Sequence, residues 1–140
     1  MPDVIINTDG GSRGNPGYAA LGAVIKYGGE TKTYAQSIGT KTNNEAEYLA
    51  IIFALKKVKQ LIGKEKSARL SLEVRSDSEL IVSQINGEYK LKDKNLVPMF
   101  VEVWNLKQDF GKIKFVHIGR EENKQADALL NKELNTPRLL

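Results

Sequence analysis

The stretch VIINTDGGSRGNPGYAALGAVIKYGGETKTYAQSI, residues 4–38, decides the fold because it holds three strand-like segments in close succession. A Gly-Gly pair between the second and third segments is typical of a hairpin turn, and glycines also follow the first segment. The stretch therefore predicts a three-stranded antiparallel meander. Its strands are Val4–Asp9, Tyr18–Tyr27 and Thr31–Ile38.

Beyond the meander, helical and strand patterns alternate. Apolar residues recur at helical spacing from Asn43 to Ile62, with Thr42, Asn43 and Asn44 as N-cap candidates and Gly63 as a stop. The order βββαβααβα predicts an α/β fold, a five-stranded mixed sheet with helices on both faces, as one domain over residues 1–140 with a loose tail from about 135. The remaining predicted elements are strands Leu70–Ser76 and Lys112–Ile118 and helices Asp77–Ile85, Asn95–Phe110 and Asn123–Leu134.

Composition narrows the kinds of site and partner. The 140 residues include no cysteine and one histidine, which excludes disulfides and thiolate-held zinc and disfavours a histidine-rich metal site. A net charge of +4 fits a nucleic-acid partner and an ordinary lysine-rich protein equally well. Because no apolar stretch has membrane-spanning length and no signal segment is evident, we expect a cytoplasmic protein without a membrane partner. We also expect a monomer.

Four acids fall at the ends of predicted elements. Asp9 ends the first strand, Asp77 follows the fourth, and Glu47 and Asp127 lie in or near the first turns of helices. Strand carboxyl ends and the starts of the following helices share one edge of an α/β sheet, so these acids can meet. Each alone is explained as a turn residue, an N-cap or a helix-dipole partner. Together they fit a two-metal phosphodiester site, whose oxygen ligands select Mg²⁺ or Mn²⁺.

Helical geometry separates Glu47 from its neighbour Glu45. The line through Glu47 runs over the apolar residues Ile51, Ala54 and Val58, whereas the line through Glu45 leads toward lysines. We therefore expect Glu47 to point at the sheet and Glu45 to be more exposed.

Four segments together resemble the type 1 ribonucleases H, which cut the RNA strand of RNA–DNA hybrids. They are TDGGSRGNPG (8–17), TNNEAEY (42–48), SDS (76–78) and GREENKQAD (119–127), and they follow the family's order over nearly the whole chain. The resemblance implies the ribonuclease H fold and endonucleolytic hydrolysis by two Mg²⁺ ions, replaceable by Mn²⁺, with 5′-phosphate products.

The resemblance also implies roles for individual residues. The catalytic and metal-binding carboxylates would be Asp9, Glu47, Asp77 and Asp127, with Asp9 bridging the ions and Gly10 beside them in the metal site. The substrate-contacting residues would be Gly11, Ser12, Asn15, Thr42, Asn43 and Asn44. Among these the asparagines would read the minor groove and Thr42 would hold a DNA phosphate. The glycines would admit a nucleic-acid backbone or simply form a strand-end turn.

The chain departs from the family pattern in two places. His117, at the distance of a histidine that assists turnover, falls inside a predicted strand, so we expect it to be structural or merely exposed. We assign part of its role to Arg120, with an ion pair to Glu121 or Glu122 as the alternative. In place of a basic helical handle there is only a loop with Lys90, Lys92 and Lys94, which either touches phosphates or is simply solvated.

Two further expectations complete the prediction. Trp104 falls in an apolar helix pattern and is expected in the core rather than as a base-stacking platform. Alternative functions are a non-catalytic nucleic-acid-binding domain on the same fold and a nuclease that also cuts double-stranded RNA.

Overall fold

The structure, a computed structural model, describes residues 1–136. One five-stranded sheet has the order β3-β2-β1-β4-β5, in which β1–β2 and β2–β3 pair antiparallel while β1–β4 and β4–β5 pair parallel. The mixed sheet predicted from the sequence is confirmed. The strands are β1 (Val4–Gly14), β2 (Gly17–Tyr27), β3 (Glu30–Lys41), β4 (Ser71–Ser76) and β5 (Lys112–His117), and the helices are α1 (Asn43–Ile62), α2 (Lys64–Ser67), α3 (Glu79–Ile85), α4 (Val97–Lys107) and α5 (Lys124–Asn135).

Strand β1 is longer than its apolar segment predicts. It continues through both glycines after Asp9 and stays in register with β2 from Val4 opposite Tyr27 to Gly14 opposite Gly17. The chain reverses only after Gly14, at the pair 15–16. A turn at the first two glycines is therefore wrong, because the paired backbone there is extended.

Helices cover both faces of the sheet, and glycines let them approach closely. A Cβ added to Gly10 would lie 2.2 Å from the Ala46 carbonyl oxygen of α1, and one added to Gly22 would lie 2.4 Å from the Ala126 carbonyl oxygen of α5. Gly11, which points to the opposite face from Gly10, has Leu130 of α5 at 3.5 Å. The predicted placement of helices on both faces is confirmed.

The main apolar core lies on the α1 side of the sheet. There α1 packs on β1 and β2, α3 packs on β5, and α4 packs on α1. The fully buried side chains of this core include Ile6, Tyr48, Ile51, Leu55 and Ile81. Burying an apolar side chain of this size contributes about 1.5–3 kcal/mol. This packing holds α1 against β1 and so fixes the height of the helix relative to the strand end.

Helix starts and stops follow local signals. Thr42 caps α1 in a capping box with Glu45, and Gly63 ends the helix with φ 96°, as predicted. Ser78 caps α3, whose helical residues begin two positions later than predicted. Helix α4 carries Pro98 in its first turn, where no amide donor is required. The four-residue helix α2 was not predicted.

The prediction that Trp104 lies in the core is wrong. Trp104 is 53% exposed. Val97 and Val101, on the same side of α4, are also exposed. Helix α4 is apolar at most positions, so periodicity does not distinguish its packed side, which includes Val103 and Leu106, from its outer side.

Helix α5 runs to Asn135, and the last four residues of the predicted loose tail, 137–140, lie outside the described residues. Among the helices of residues 1–136, none combines the length and the apolar character needed to cross a bilayer.

Candidate active site

Three of the four predicted acids meet at one edge of the sheet. One carboxylate oxygen from each of Asp9, Glu47 and Asp77 lies within 4.8 Å of the others. Strands β1 and β4 are parallel neighbours with Thr8 opposite Ser76, so the residues that follow, Asp9 and Asp77, emerge side by side. Because α1 packs closely on β1, Glu47 in its second turn reaches the same point.

The fourth acid, Asp127, lines the same cleft from α5. The cleft has a volume of about 460 Å³. The carboxyl group of Asp127 lies beside that of Asp9 and contributes to raising the Asp9 pKa. The residues that line the cleft are Asp9, Gly10, Asn43, Glu47, Asp77, Arg120, Asp127 and Leu130.

Burial and mutual repulsion make this cleft electrostatically costly when empty of cations. Burial, followed by the charges of Glu47, Asp77 and Asp127, raises the pKa of Asp9 from 3.8 to about 9. Burial and Asp77 likewise raise the pKa of Glu47 to about 8, although the Gly10 amide and Arg120 oppose the rise. Within the described chain, Arg120 is the one cation that lines the cleft, so the acids outnumber it four to one.

An all-oxygen donor set with excess negative charge fits hard divalent cations such as Mg²⁺ or Mn²⁺. Asp9 is only 6% exposed, and a buried carboxylate without a counter-charge is destabilising. A bound cation would remove both the repulsion and the protonation. The residues present therefore fit the metal site that the sequence predicts.

Backbone contacts orient Glu47 and not Glu45 toward the cleft. The Gly10 amide donates to the Glu47 carboxylate at 2.9 Å, whereas the Glu45 carboxylate accepts from the Thr42 amide at 2.9 Å. The predicted facing is confirmed. Both glutamates are half-buried, Glu45 with its carboxylate turned back onto the cap.

The alternative role of Asp77 as a helix cap does not hold. The hydroxyl oxygen of Ser78 accepts from the Ile81 amide, and the Ser78 amide donates to the Ser76 hydroxyl at 3.1 Å. The turn after β4 is therefore held by serines, which leaves the Asp77 carboxylate in the cleft.

Three of the predicted substrate-contacting residues are linked by hydrogen bonds into a rim of the cleft, namely Ser12, Asn15 and Asn43. The Asn43 side-chain oxygen accepts from the Ser12 amide at 2.9 Å, and the Asn43 amide donates to the Asn15 side-chain oxygen at 2.9 Å. These bonds tie the β1–β2 hairpin to the start of α1. Thr42 uses its hydroxyl to accept from the Glu45 amide, and Asn44 is half-buried beside it.

The neighbouring residues Gly10 and Gly11 differ in what surrounds them. The space beside Gly10 is filled by the backbone of α1, so its small size serves helix packing and not the approach of a nucleic-acid backbone. Gly11 is half-buried, with the Asn43 side chain 3.8 Å from an added Cβ.

Arg120 and His117 are separated by the structure as the sequence predicts. Arg120 is exposed at the start of a 3-10 turn (Arg120–Glu122) and lines the cleft. Within residues 1–136 it makes no ion pair with Glu121 or Glu122. His117 is exposed at the end of β5 and is not among the residues that line the cleft.

The loop between α3 and α4 contains no additional helix, as predicted, and Lys90, Lys92 and Lys94 are all exposed on it.

One contact at the site was not predicted. Asn123, read from the sequence only as a helix start, sends its side chain to β1, where it donates to the Thr8 carbonyl at 2.9 Å. An asparagine before a helix suggests an N-cap, so the sequence carries no signal for this longer contact.

Comparison with known proteins identifies the relatives of this arrangement. A family model described as "Reverse transcriptase-like" matches residues 7–133. The chain is also similar to the solved structure of LC11-RNase H1 in complex with an RNA/DNA hybrid, with 43% identity, a TM-score of 0.85 and coverage of 92% of this chain and 94% of that one. The chain belongs to the ribonuclease H family.

Two other relatives of this ribonuclease H family member differ in length. RNase H1 of the halophilic archaeon Halobacterium salinarum is 36% identical with a TM-score of 0.86, over 94% of this chain and 97% of that chain. A bifunctional protein of Mycobacterium tuberculosis is 37% identical over 131 residues, which are 91% of this chain and 34% of the relative. The chain thus spans about a third of the first curated relatives that it matches.

Proposed function

We propose that this chain hydrolyses the RNA strand of RNA–DNA hybrids endonucleolytically, with two Mg²⁺ ions, and leaves 5′-phosphate products. The observation that carries the proposal is the convergence of Asp9, Glu47 and Asp77 within 4.8 Å, with Asp127 beside them. A non-catalytic binding domain would gain only repulsion from these acids, because its ligand is a polyanion.

Asp9, Glu47, Asp77 and Asp127 would hold the cations. When bound, such ions activate a water molecule and stabilise the leaving oxygen of an in-line displacement. Asp9 would be the central member of this ligand set, because the other three acids all contribute to the rise of its pKa and so surround it. The Gly10 amide already holds the Glu47 carboxylate in place through a hydrogen bond. The carboxylate would therefore lose little conformational freedom when a cation binds.

The substrate side of the proposal rests on the rim and on the similarity to a hybrid-bound relative. Ser12, Asn15 and Asn43 form one hydrogen-bonded surface beside the acids, and amides can bond to base edges and ribose 2′-hydroxyls. Arg120, exposed at the cleft, would contact the scissile phosphate. Lys90, Lys92 and Lys94 would add contacts to phosphates without sequence preference.

The test compares three duplexes under three metal conditions. Labelled RNA–DNA hybrid, double-stranded RNA and double-stranded DNA are each incubated with Mg²⁺, with Mn²⁺ and with a chelator. We expect cleavage of the hybrid's RNA strand, abolished by chelator and by Asp9→Asn, with 5′-phosphate ends identified by mass spectrometry. Binding of the hybrid without any cleavage would overturn the proposal, and cleavage of double-stranded RNA at a similar rate would reassign the substrate.

A further inference from the structure

Asn123 lies between two segments of the C-terminal part of the chain, each of which places a charged side chain in the cleft. These side chains are Arg120 and Asp127. The 3-10 turn that begins with Arg120 precedes Asn123, and helix α5, which carries Asp127 in its first turn, follows it. Its side chain is almost fully buried, with 1% exposure. A buried amide must be hydrogen-bonded, so its partners show what it does.

Both ends of this amide bond to β1 and neither caps α5. The Nδ2 group donates to the Thr8 carbonyl at 2.9 Å, and the Oδ1 atom accepts from Nδ2 of Asn7 at 3.1 Å. A carbonyl can only accept, so the amide orientation is determined by Thr8. No side-chain cap bond is made to α5 itself.

These contacts form a short path between two of the acids. Thr8 directly precedes Asp9, and the Asp127 amide donates to the Asn123 carbonyl at 3.1 Å. Two hydrogen bonds therefore connect the backbone that carries Asp9 to the backbone that carries Asp127. The path crosses from the sheet to α5 without passing through the rim or through α1.

We propose that Asn123 is a positioning residue that sets the separation of Asp127 from Asp9 and so tunes the affinity of the cleft for divalent cations. The inference rests on the proposed function only in assuming that these acids hold cations. It assigns to Asn123 no contact with the substrate or the ions. The residue acts through the backbone of Thr8 and through the first turn of α5.

Helix α5 has a second, independent attachment to the sheet. Ala126 and Leu130 are 0% and 5% exposed, and both pack where Gly22 leaves room. Removing the Asn123 amide therefore loosens the first turn of α5 but leaves the helix docked. We therefore expect an Asn123 variant to keep its fold but to bind cations more weakly than wild type.

The experiment measures Mn²⁺ affinity by calorimetry on the complete chain without substrate, in parallel with thermal denaturation. For Asn123→Ala we expect an approximately 10-fold weaker Mn²⁺ affinity, the low end of the loss found when groups that orient metal ligands are removed. The half-saturating Mg²⁺ concentration for cleavage should rise similarly, while KM for the hybrid stays within about 2-fold, because the residue does not touch the substrate.

Asn86→Ala is the matched control. The Asn86 side chain also donates to a backbone carbonyl, that of Phe115 at 3.0 Å, away from the cleft. It should lower thermal stability without changing Mn²⁺ affinity. An Asn123→Ala protein with Mn²⁺ affinity within about 2-fold of wild type overturns the proposal, and so does an equal loss of affinity in Asn86→Ala.

Asn7→Ala keeps the test decisive if Asn123→Ala does not fold. It removes the group that holds the Asn123 oxygen and leaves the bond to Thr8, so we expect the smaller loss of Mn²⁺ affinity that one hydrogen bond supports, about 2- to 5-fold. Unchanged affinity in a folded Asn7→Ala protein, when Asn123→Ala is unfolded, also counts against the proposal. If wild type binds Mn²⁺ but cleaves no hybrid, the proposed function fails while the affinity comparison still tests Asn123.

Discussion

Asp9 is the residue on which the other three acids of the cleft converge. It lies at 6% exposure in the middle of a paired strand, and its surroundings contribute three further carboxyl groups and a single guanidinium. Such a group is stable as a carboxylate only when cations neutralise it. The cost of burying Asp9 is thus the physical reason why the proposed function assigns cations to this cleft.

The first residue-level prediction compares two neighbouring glutamates. Glu47→Gln should lower kcat for hybrid cleavage by at least about 100-fold, because it removes the charge held toward the cleft by Gly10. Glu45→Gln should stay within about 2-fold, since glutamine can also accept from the Thr42 amide in a capping box. Steady-state kinetics at saturating Mg²⁺ measure both variants. The reverse ranking would show that Glu45, and not Glu47, is the glutamate of α1 that serves the cleft.

The second residue-level prediction concerns how the free energy of unfolding depends on pH in the absence of metal. The pKa of Asp9 rises from 3.8 to about 9 on folding, so the folded state binds its proton more tightly than the unfolded state. This contribution to stability is full below about pH 4 and is lost as the pH rises through about 9. In a chelator, the free energy of unfolding of wild type should therefore fall from about pH 5 to about pH 9.

Asp9→Asn removes this titration and supplies the comparison. Urea denaturation in the chelator should show Asp9→Asn to be more stable than wild type at about pH 9, by roughly 1–3 kcal/mol, with a smaller difference at about pH 5. Added Mg²⁺ should flatten the pH dependence of wild type. A variant that is less stable than wild type at both pH values would contradict the account of Asp9.

At the scale of elements, the start of α1 serves two purposes. Its capping box satisfies the first amides of the helix, and its first residue, Asn43, ties the helix to the β1–β2 hairpin. Tyr48, one turn further along α1, donates a hydrogen bond from its hydroxyl to the side-chain oxygen of the buried Gln84 in α3, at 2.9 Å. One helix end thus organises the rim, the Glu47 position and the contact with α3.

The third prediction separates the cap of Thr42 from its expected phosphate contact. Thr42→Asp should keep the cap and hence a free energy of unfolding within about 0.5 kcal/mol of wild type, because aspartate is a good N-cap. Its KM for the hybrid should rise several-fold at low salt through repulsion of the phosphate, and the rise should shrink with added salt.

Thr42→Ala provides the opposite case. It removes the cap and should cost about 1 kcal/mol in urea denaturation, whether or not a phosphate binds there. If the KM of Thr42→Asp equals that of wild type at low salt, Thr42 caps the helix and has no phosphate partner.

At the scale of the whole molecule, the sheet is a plate between α1 on one face and α5 on the other. Neighbouring glycines of β1 face these two layers, Gly10 toward α1 and Gly11 toward α5. Acids from both layers reach the cleft only because each helix lies close to the sheet. The separation of the layers is therefore part of the site.

The fourth prediction tests this separation with two matched substitutions. Gly10→Ala places a methyl group 2.2 Å from the Ala46 carbonyl oxygen, so α1 must move, and we expect a loss of about 1–3 kcal/mol in stability and loss of cleavage. Gly11→Ala meets Leu130 at an ordinary 3.5 Å and should change stability by less than about 1 kcal/mol. Equal destabilisation of the two variants in thermal melts would show that the approach of α1 is not what requires Gly10.

Much of this architecture was predictable because the signals are local. The Gly-Gly pair, the alternation in β4 and the helical spacing up to Gly63 each act within a few residues, and the elements that they predict are present. Glu47 was distinguished from Glu45 in the same way, by the side of α1 on which each lies. The fold and the four acids of the cleft followed from such local patterns taken in order.

What escaped prediction depends on contacts between residues distant in sequence. Trp104 is exposed because only one side of an almost wholly apolar helix meets α1, and no local period marks that side. Glycines at 10 and 11 resemble a turn until β2 pairs with them and carries β1 on to Gly14.

The sequence by itself determined the order of elements, the mixed sheet and the identity of the acids, since periodicity, turn residues and strand-end placement are properties of neighbouring residues. Only the tertiary structure decided how those acids are held. The Gly10 amide on Glu47 joins residues 37 apart, and the Asn123 amide on Thr8 joins residues 115 apart. Hydrogen bonds of that range form only after the layers pack, because packing alone brings their donors and acceptors within reach.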